Sequence, residues 1–340
     1  MDHASPSSEL AMAAEHDAAG RYDEAINALA RGTQAGDLVC KTRLGRRLLA
    51  GDRAPALPAE GARLLHEAAV AGTPEAAAGM AALTALGHYF KQSWEGGLRW
   101  LMAAAEQGWE PARLQLRVLA GGAPHINLAK WLETPTAHCL SADPQVQAVE
   151  RFLTPAACNW FVDRARNRLT RARVYDPINR EDVVRPTRSN SVANFGLTEI
   201  ELLDVLLQAK MSHACGLPMP HMEAPAVLHY AMGEEASDHF DFVNPNTADY
   251  AGEIARNGQR VMTFLVYLND DYEAGATDFP KLGFSHKGQR GQGLFFVNAD
   301  SDLQPDLRML HAGRAPTRGE KWLVSQFIRS RPTRAVYAGS

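Results

Sequence analysis

A spacing of 36 residues governs the first third of the chain: Gly36, Gly72 and Gly108 fall at that interval. So do Leu29, Leu65 and Leu101, and so do Ala25, Gly61 and Gly97. The segments Ala68-Ala69-Val70-Ala71-Gly72 and Ala104-Ala105-Glu106-Gln107-Gly108 read as two copies of one helix end. Glycine follows the last apolar residue of a helix because it accepts the left-handed backbone conformation that terminates it. A period of this length, filled with alanine and leucine, predicts stacked helical hairpins. No single hairpin of that kind buries its apolar face without a neighbour.

This repeat resembles the Sel1-like branch of the tetratricopeptide families, over roughly residues 10–121. The Leu-Gly pair of that family stands at Leu44-Gly45, whereas the positions one period later are Met80 and Ala81. The resemblance implies a protein-interaction surface. Short solenoids also serve to buttress a neighbouring domain, and the sequence leaves both roles open.

The period ends near Gly121. Residues 122–146, with Gly122, Pro124, Pro135 and Pro144, lack clear periodicity and read as a linker with some local structure. From 147 the character changes. Thr154 as N-cap and Pro155 at the first helical position predict a helix over 154–169. Thr198, with Glu201 three residues later, predicts a second helix over 198–213. Beyond these, 261–268, 294–297 and 322–328 are short apolar runs rich in β-formers and separated by Gly and Pro, which predicts a β-sandwich or jelly roll. The expected class is α+β with more than one domain: a helical repeat solenoid over 1–121, a linker over 122–146 and a β-rich domain over 147–334.

At 340 residues, 46% hydrophobic and 22% charged, the chain has the length and composition for two packed domains. Its net charge of −4 supplies no global basic field for nucleic acid. No apolar run approaches the roughly 18–20 residues of a membrane span. The first residues, Met1-Asp2-His3-Ala4-Ser5-Pro6, lack the basic and apolar regions of a secretory leader. Cys40, Cys139, Cys158 and Cys215 are scattered, with no CxxC pair. That disfavours a disulfide framework or a zinc ribbon and makes a reducing cytoplasm the expected compartment.

The candidate chemistry lies in the β-rich part. On a strand, His239 and Asp241 of His239-Phe240-Asp241 point to one face. One imidazole with one carboxylate suits a divalent first-row metal. The triplet alone would equally suit a polar surface loop. His311, in Met309-Leu310-His311-Ala312-Gly313, stands ahead of the last predicted strand. A His-X-Asp pair with a distant His is the facial triad of non-haem iron(II) oxygenases, which leaves coordination positions open. Lys321 follows across a turn, where a buried cation pointing into the same barrel would pair with an anionic cosubstrate. Taken singly, His311 suits a strand-end histidine and Lys321 a solvated charge; the joint pattern is much harder to reach by chance.

From about residue 150 to 332 the text resembles the prolyl 4-hydroxylase-like 2-oxoglutarate/Fe(II) dioxygenases. The matching segments are Phe152-Leu153-Thr154-Pro155, Leu228-His229-Tyr230-Ala231-Met232-Gly233-Glu234 before His239-Phe240-Asp241-Phe242, and Gly258-Gln259-Arg260 through Leu268-Asn269. They continue with Gly275-Ala276-Thr277-Asp278-Phe279-Pro280, His311-Ala312-Gly313 and Gly319-Glu320-Lys321-Trp322. The resemblance implies a double-stranded β-helix, with His239, Asp241 and His311 as iron ligands and Lys321 as partner of the far carboxylate of 2-oxoglutarate. Tyr230 and Tyr267 match positions whose side chains approach that cosubstrate, although each would also suit a core aromatic whose hydroxyl bonds elsewhere. Dioxygen is the implied oxidant, with ascorbate as a candidate reductant.

The implied reaction is hydroxylation of a protein or peptide residue, most simply a prolyl residue, with release of succinate and CO2. The repeats would then offer a docking surface for the substrate. The sequence departs from the family at Phe327, where many members have a tryptophan near the substrate, and at Ala274-Gly275 in place of a Gly-Gly pair. Phe327 bears on peptidyl-proline recognition. Arg188 falls where the family places a substrate-side basic segment. Other readings are the same chemistry on a free amino acid or small metabolite, an inactive interaction scaffold, and a metal-dependent isomerase or hydrolase on a cupin-like barrel. The intact metal pattern and Lys321 weigh against the scaffold, and Lys321 with the surrounding text weighs against the isomerase or hydrolase.

Overall fold

The repeat spacing is a spacing of helices. Helix α1 (Ser8–Ala18) precedes three hairpins: α2 (Tyr22–Gln34) with α3 (Leu38–Ala50), α4 (Pro58–Val70) with α5 (Pro74–Leu86), and α6 (Trp94–Glu106) with α7 (Glu110–Ala120). Equivalent helices begin one period apart, at Tyr22, Pro58 and Trp94 and at Leu38, Pro74 and Glu110. This computed structural model describes residues 7–133, 135–176, 181–183, 185 and 187–333; the first six residues and residue 334 lie outside it.

Gly36, Gly72 and Gly108 turn the hairpins at φ of +88°, +94° and +90°, a region L-residues avoid. Small residues let adjacent helices touch. A Cβ on Gly61 would lie 2.4 Å from Leu49 N and 2.5 Å from Gly45 O, and one on Gly97 would lie 2.8 Å from Ala81 O. Gly45 and Ala81 therefore mark one contact made in two successive repeats. Leu29, Leu44, Leu48 and Leu64 fill a core between hairpins. This unit runs to Leu128 and takes in Gly196–Leu206, where Arg46 Nη2 donates to Thr198 O at 2.9 Å and Leu203 N donates to Gln115 Oε1 at 3.3 Å.

The second unit covers, among the described residues, Ala129–Phe195 and 207–333. After the short helix α8 (Leu128–Leu132) come β1 (Ala137–Ser141), β2 (Val146–Val149), helix α9 (Pro155–Arg166), β3 (Thr170–Arg171), β4 (Val174–Asp176), β5 (Glu181–Val183) and β6 (Ser191–Asn194). Helix α10 (Leu202–Cys215), β7 (Ala226–Tyr230), β8 (Ala236–His239), helix α11 (Ala248–Asn257) and β9 (Arg260–Tyr267) follow. The remaining strands are β10 (Glu273–Ala274), β11 (Thr277–Phe279), β12 (Phe284–His286), β13 (Gly293–Val297), β14 (His311–Gly313), β15 (Pro316–Arg318) and β16 (Lys321–Arg329).

A large antiparallel sheet has the order β1-β2-β13-β9-β16-β7-β6-β3, and a small one has the order β12-β11-β14-β8. Together they form the double-stranded β-helix. Leu228, Leu265, Leu294, Phe296 and Leu323 of the large sheet share one core with Ala236 and Phe279 of the small one. On the opposite face of the large sheet Phe264 stacks on Phe295 with ring centroids 5.3 Å apart, and Phe152 covers Phe264 at 5.0 Å. Gln208 Nε2 of α10 donates to Gln326 Oε1 of β16 on that face at 2.9 Å.

Residues 122–146, read as a linker with some local structure, carry α8, β1 and the start of β2, and the β1–β2 hairpin extends the large sheet through pairing of β2 with β13. Helix α9 begins as the sequence predicts, with Thr154 Oγ1 accepting from Ala157 N at 3.2 Å. Helix α10 begins at Leu202, later than expected. Thr198 lies in a turn, and Asp204 Oδ2 accepts from Glu201 N at 2.8 Å, so Asp204 supplies the cap expected of Thr198. Among the described residues no helix is long and apolar enough to cross a membrane.

Candidate active site

His239 and His311 are directly opposed residues of the antiparallel pair β8 and β14. Their ring centroids are 4.4 Å apart. His239 Nδ1 lies 2.8 Å from Ser237 O and His311 Nδ1 lies 3.0 Å from Met309 O. A carbonyl oxygen only accepts, so each ring carries a proton on Nδ1 and turns Nε2 inward. Asp241 completes the group: its Oδ1 is 3.4 Å from His239 Nε2 and its Oδ2 is 3.2 Å from His311 Nε2. Among the described residues these three form the one cluster of His, Cys, Asp and Glu able to hold a metal ion, with ligand atoms within 4.8 Å of one another.

Strand alternation does not hold Asp241, because β8 ends at His239. The buried Gln259 side chain clamps the backbone just beyond Asp241. Val243 N donates to Gln259 Oε1 and Gln259 Nε2 donates to Val243 O, both at 2.7 Å. Thr263 Oγ1 donates to Asp241 Oδ2 at 2.7 Å, and Asn298 Nδ2 donates to Thr263 Oγ1 at 2.9 Å. Burial alone would raise the Asp241 carboxyl. His311 and His239 outweigh it and hold the group well below the usual carboxylate range. For His311, burial works against the charged form, but the Asp241 carboxylate prevails and keeps its pKa raised.

Lys321 is fully buried and pairs in register with Tyr230 across β16 and β7. Its Nζ has no hydrogen-bond partner among the described residues. It lies 5.1 Å from the Tyr230 ring centroid and 5.9 Å from that of Tyr267. Desolvation pushes its pKa down to about 7. A buried ammonium without an anion is a costly arrangement, and it fits a pocket whose anion arrives with a ligand. Tyr230 is buried, and burial pushes its phenol up to about 12, with Arg188 opposing. Tyr267 lies on the inner face as alternation predicts, but its hydroxyl is engaged by Thr277 Oγ1 at 2.8 Å. It thus offers the pocket a ring wall rather than a free hydroxyl.

Arg188 forms an isolated antiparallel bridge with Ala236 at the start of β8. Its Nε is buried with no hydrogen-bond partner among the described residues. Its charge reaches both Tyr230 and His311, so this side chain and Lys321 bring two cations to the site. Phe327, half-buried, stands opposite Thr263 in register, with the Arg260 guanidinium 3.9 Å from its ring centroid. Arg260 is itself held by Glu223 through two bonds of 2.7 and 2.8 Å. The residues that sequence reading misses are Gln259 and Asn298. Gln259 lies inside the matched text at the base of β9. Asn298 sits just past β13 and carries no local signal of its bond to Thr263.

No family model matches the chain. Prolyl 4-hydroxylase 1 of Arabidopsis thaliana is 30% identical over 210 residues, an alignment that takes in 57% of this chain and 72% of that protein. Prolyl 4-hydroxylase 2 of the same plant is 29% identical over 210 residues, covering 56% of this chain and 68% of that protein. Among solved structures, the viral collagen prolyl hydroxylase of Paramecium Bursaria Chlorella virus-1, in a 2-oxoglutarate complex, is similar with 23% identity and a TM-score of 0.42, covering 55% of this chain and 96% of that one. The 30% identity to Prolyl 4-hydroxylase 1 over 72% of that protein establishes that the chain belongs to the prolyl 4-hydroxylase family of 2-oxoglutarate- and Fe(II)-dependent dioxygenases.

Proposed function

We propose that His239, Asp241 and His311 hold Fe(II), that Lys321 binds the far carboxylate of 2-oxoglutarate, and that the enzyme hydroxylates a prolyl residue in a protein or peptide. The observation that carries the reading is the pairing of the metal-ligating cluster with a buried, unpartnered Lys321 Nζ on the same barrel interior. The donor set fits the metal: two imidazoles with Nε2 directed inward and one carboxylate kept ionised. Iron and 2-oxoglutarate, when bound, supply activation of dioxygen, with succinate and CO2 as coproducts.

The chain's own residues do the rest. The carbonyls of Ser237 and Met309 fix both imidazole tautomers. Gln259 and Thr263 fix the carboxylate. Lys321 orients the cosubstrate by its charge, and the rings of Tyr230 and Tyr267 keep water from that ammonium. Arg188 and Phe327 face the substrate. The chain is organised as a repeat unit that docks a macromolecular substrate on its stacked hairpins and a catalytic unit that begins with the β1–β2 hairpin. Its four free cysteines support a reducing, cytoplasmic setting.

A second reading, hydroxylation of a free amino acid or small acid, draws on Arg188, whose buried unpartnered Nε suits a substrate carboxylate. Proline-containing peptides and free amino acids, each incubated with the full chain, Fe(II), 2-oxoglutarate and air, separate the two. A one-oxygen mass gain on peptidyl proline, with stoichiometric succinate, is the expected result. Gain on free amino acids alone would replace the peptidyl reading.

A further inference from the structure

The buried chain Asn298–Thr263–Asp241 has a direction. Asn298 Nδ2 donates to Thr263 Oγ1, which leaves the hydroxyl proton of Thr263 for Asp241 Oδ2. Thr263 and Asn298 are each 1% exposed, so water does not compete for either bond. The two residues lie on, and just past, the neighbouring strands β9 and β13, so the relay ties one carboxylate oxygen to the frame of the large sheet. The other oxygen, Oδ1, accepts no bond from the relay and lies 3.4 Å from His239 Nε2, while Oδ2 also lies 3.2 Å from His311 Nε2.

We infer that Thr263 and Asn298 are positioning residues that restrict Asp241 to binding iron through one oxygen, and so keep a coordination position free for dioxygen. The inference rests on the reading of His239, Asp241 and His311 as the iron site. A metal held by these three donors and a chelating keto acid would keep one position open. A second oxygen from Asp241 would fill it, and the hydrogen bond from Thr263 draws on Oδ2 and makes it the poorer metal donor. Thr263 touches Asp241, not the reacting atoms, and Asn298 acts through Thr263.

The test uses the full chain, anaerobically, as wild type, Thr263→Val, Thr263→Ser and Asn298→Ala. Valine keeps the shape and β preference of threonine but cannot donate; serine keeps the donor. The first readout is Co(II) affinity with the visible spectrum of the cobalt protein. The second is binding of nitric oxide, a diatomic stand-in for dioxygen, to the Fe(II)–2-oxoglutarate form. Thr263→Val is expected to shift the cobalt bands, to change metal affinity by about tenfold or more and to lose nitric oxide binding. Thr263→Ser is expected to behave as wild type, and Asn298→Ala to move both readouts in the direction of Thr263→Val by less. A folded Thr263→Val with wild-type spectrum and nitric oxide binding would overturn the inference. If valine does not fold, an Asn298→Ala protein unchanged in both readouts would overturn it instead. A wild-type protein that binds no metal would refute the underlying site, a result distinct from either.

Discussion

Lys321 and Tyr230 face each other across adjacent antiparallel strands, and the lysine's Nζ lies 5.1 Å from the tyrosine ring centroid without a hydrogen-bond partner among the described residues. The barrel interior thus holds an amine whose charged form no anion compensates. Lys321→Met should remove that cost and raise the melting temperature of the ligand-free protein. The same change should raise the KM for 2-oxoglutarate by about tenfold or more, since a charge-assisted carboxylate bond is lost. Thermal melts with and without 2-oxoglutarate, alongside steady-state kinetics, check both halves. A variant with unchanged KM would remove Lys321 from the cosubstrate site.

The same lysine sets a pH dependence. Its pKa falls from the ordinary 10.5 to about 7 in the ligand-free fold. Between these values the unfolded chain binds the proton and the folded one does not, so this group makes stability rise with pH across that window. A bound carboxylate should restore the proton, so cosubstrate binding above pH 7 should take one up from solution. Calorimetry at about pH 8 in buffers of different ionisation enthalpy reads that uptake. Binding enthalpies independent of buffer would contradict it.

His239→Ala and His311→Ala should each abolish turnover while leaving the fold intact, because each removes an inward Nε2 and leaves the packing of the large sheet in place. Circular dichroism checks the fold and succinate release checks turnover. Either variant retaining the wild-type rate would dismiss the triad.

In the repeat unit, Gly61→Ala places a Cβ 2.4 Å from Leu49 N and 2.5 Å from Gly45 O, both backbone atoms that cannot swing aside. A loss of about 1–3 kcal/mol is expected from such overpacking. Chemical denaturation of the full chain reads it, with cobalt affinity as a control that should not move.

The helical repeat was legible because its turn glycines and close-contact residues recur at one interval. Helix ends were less so. Thr198 and Glu201 offered a capping box, but Asp204 could cap Glu201 N from inside the helix, and spacing alone cannot rank the two. Strand β1 was illegible because its middle residues are exposed and its composition follows no alternation. That His239, Asp241 and His311 come together was readable from type and order, whereas the means of holding Asp241 were not. His239-Phe240-Asp241 suggested one strand face, yet the strand stops at His239 and the carboxylate is fixed by Gln259, Thr263 and Asn298. Those contacts are made across strands and leave no local pattern. Tyr267 shows the same limit: alternation gave its face, while the bond to Thr277 that engages its hydroxyl depends on the packed barrel.

The central claim is that one barrel interior binds Fe(II) and 2-oxoglutarate through His239, Asp241, His311 and Lys321. Anaerobic optical titration of the full chain with both ligands tests it most directly, with His239→Ala and Lys321→Ala in parallel. The account predicts a visible metal-to-ligand charge-transfer band that requires both ligands, is absent in His239→Ala and needs more 2-oxoglutarate in Lys321→Ala. A folded, metal-loaded wild-type protein that shows no band at saturating 2-oxoglutarate would contradict it.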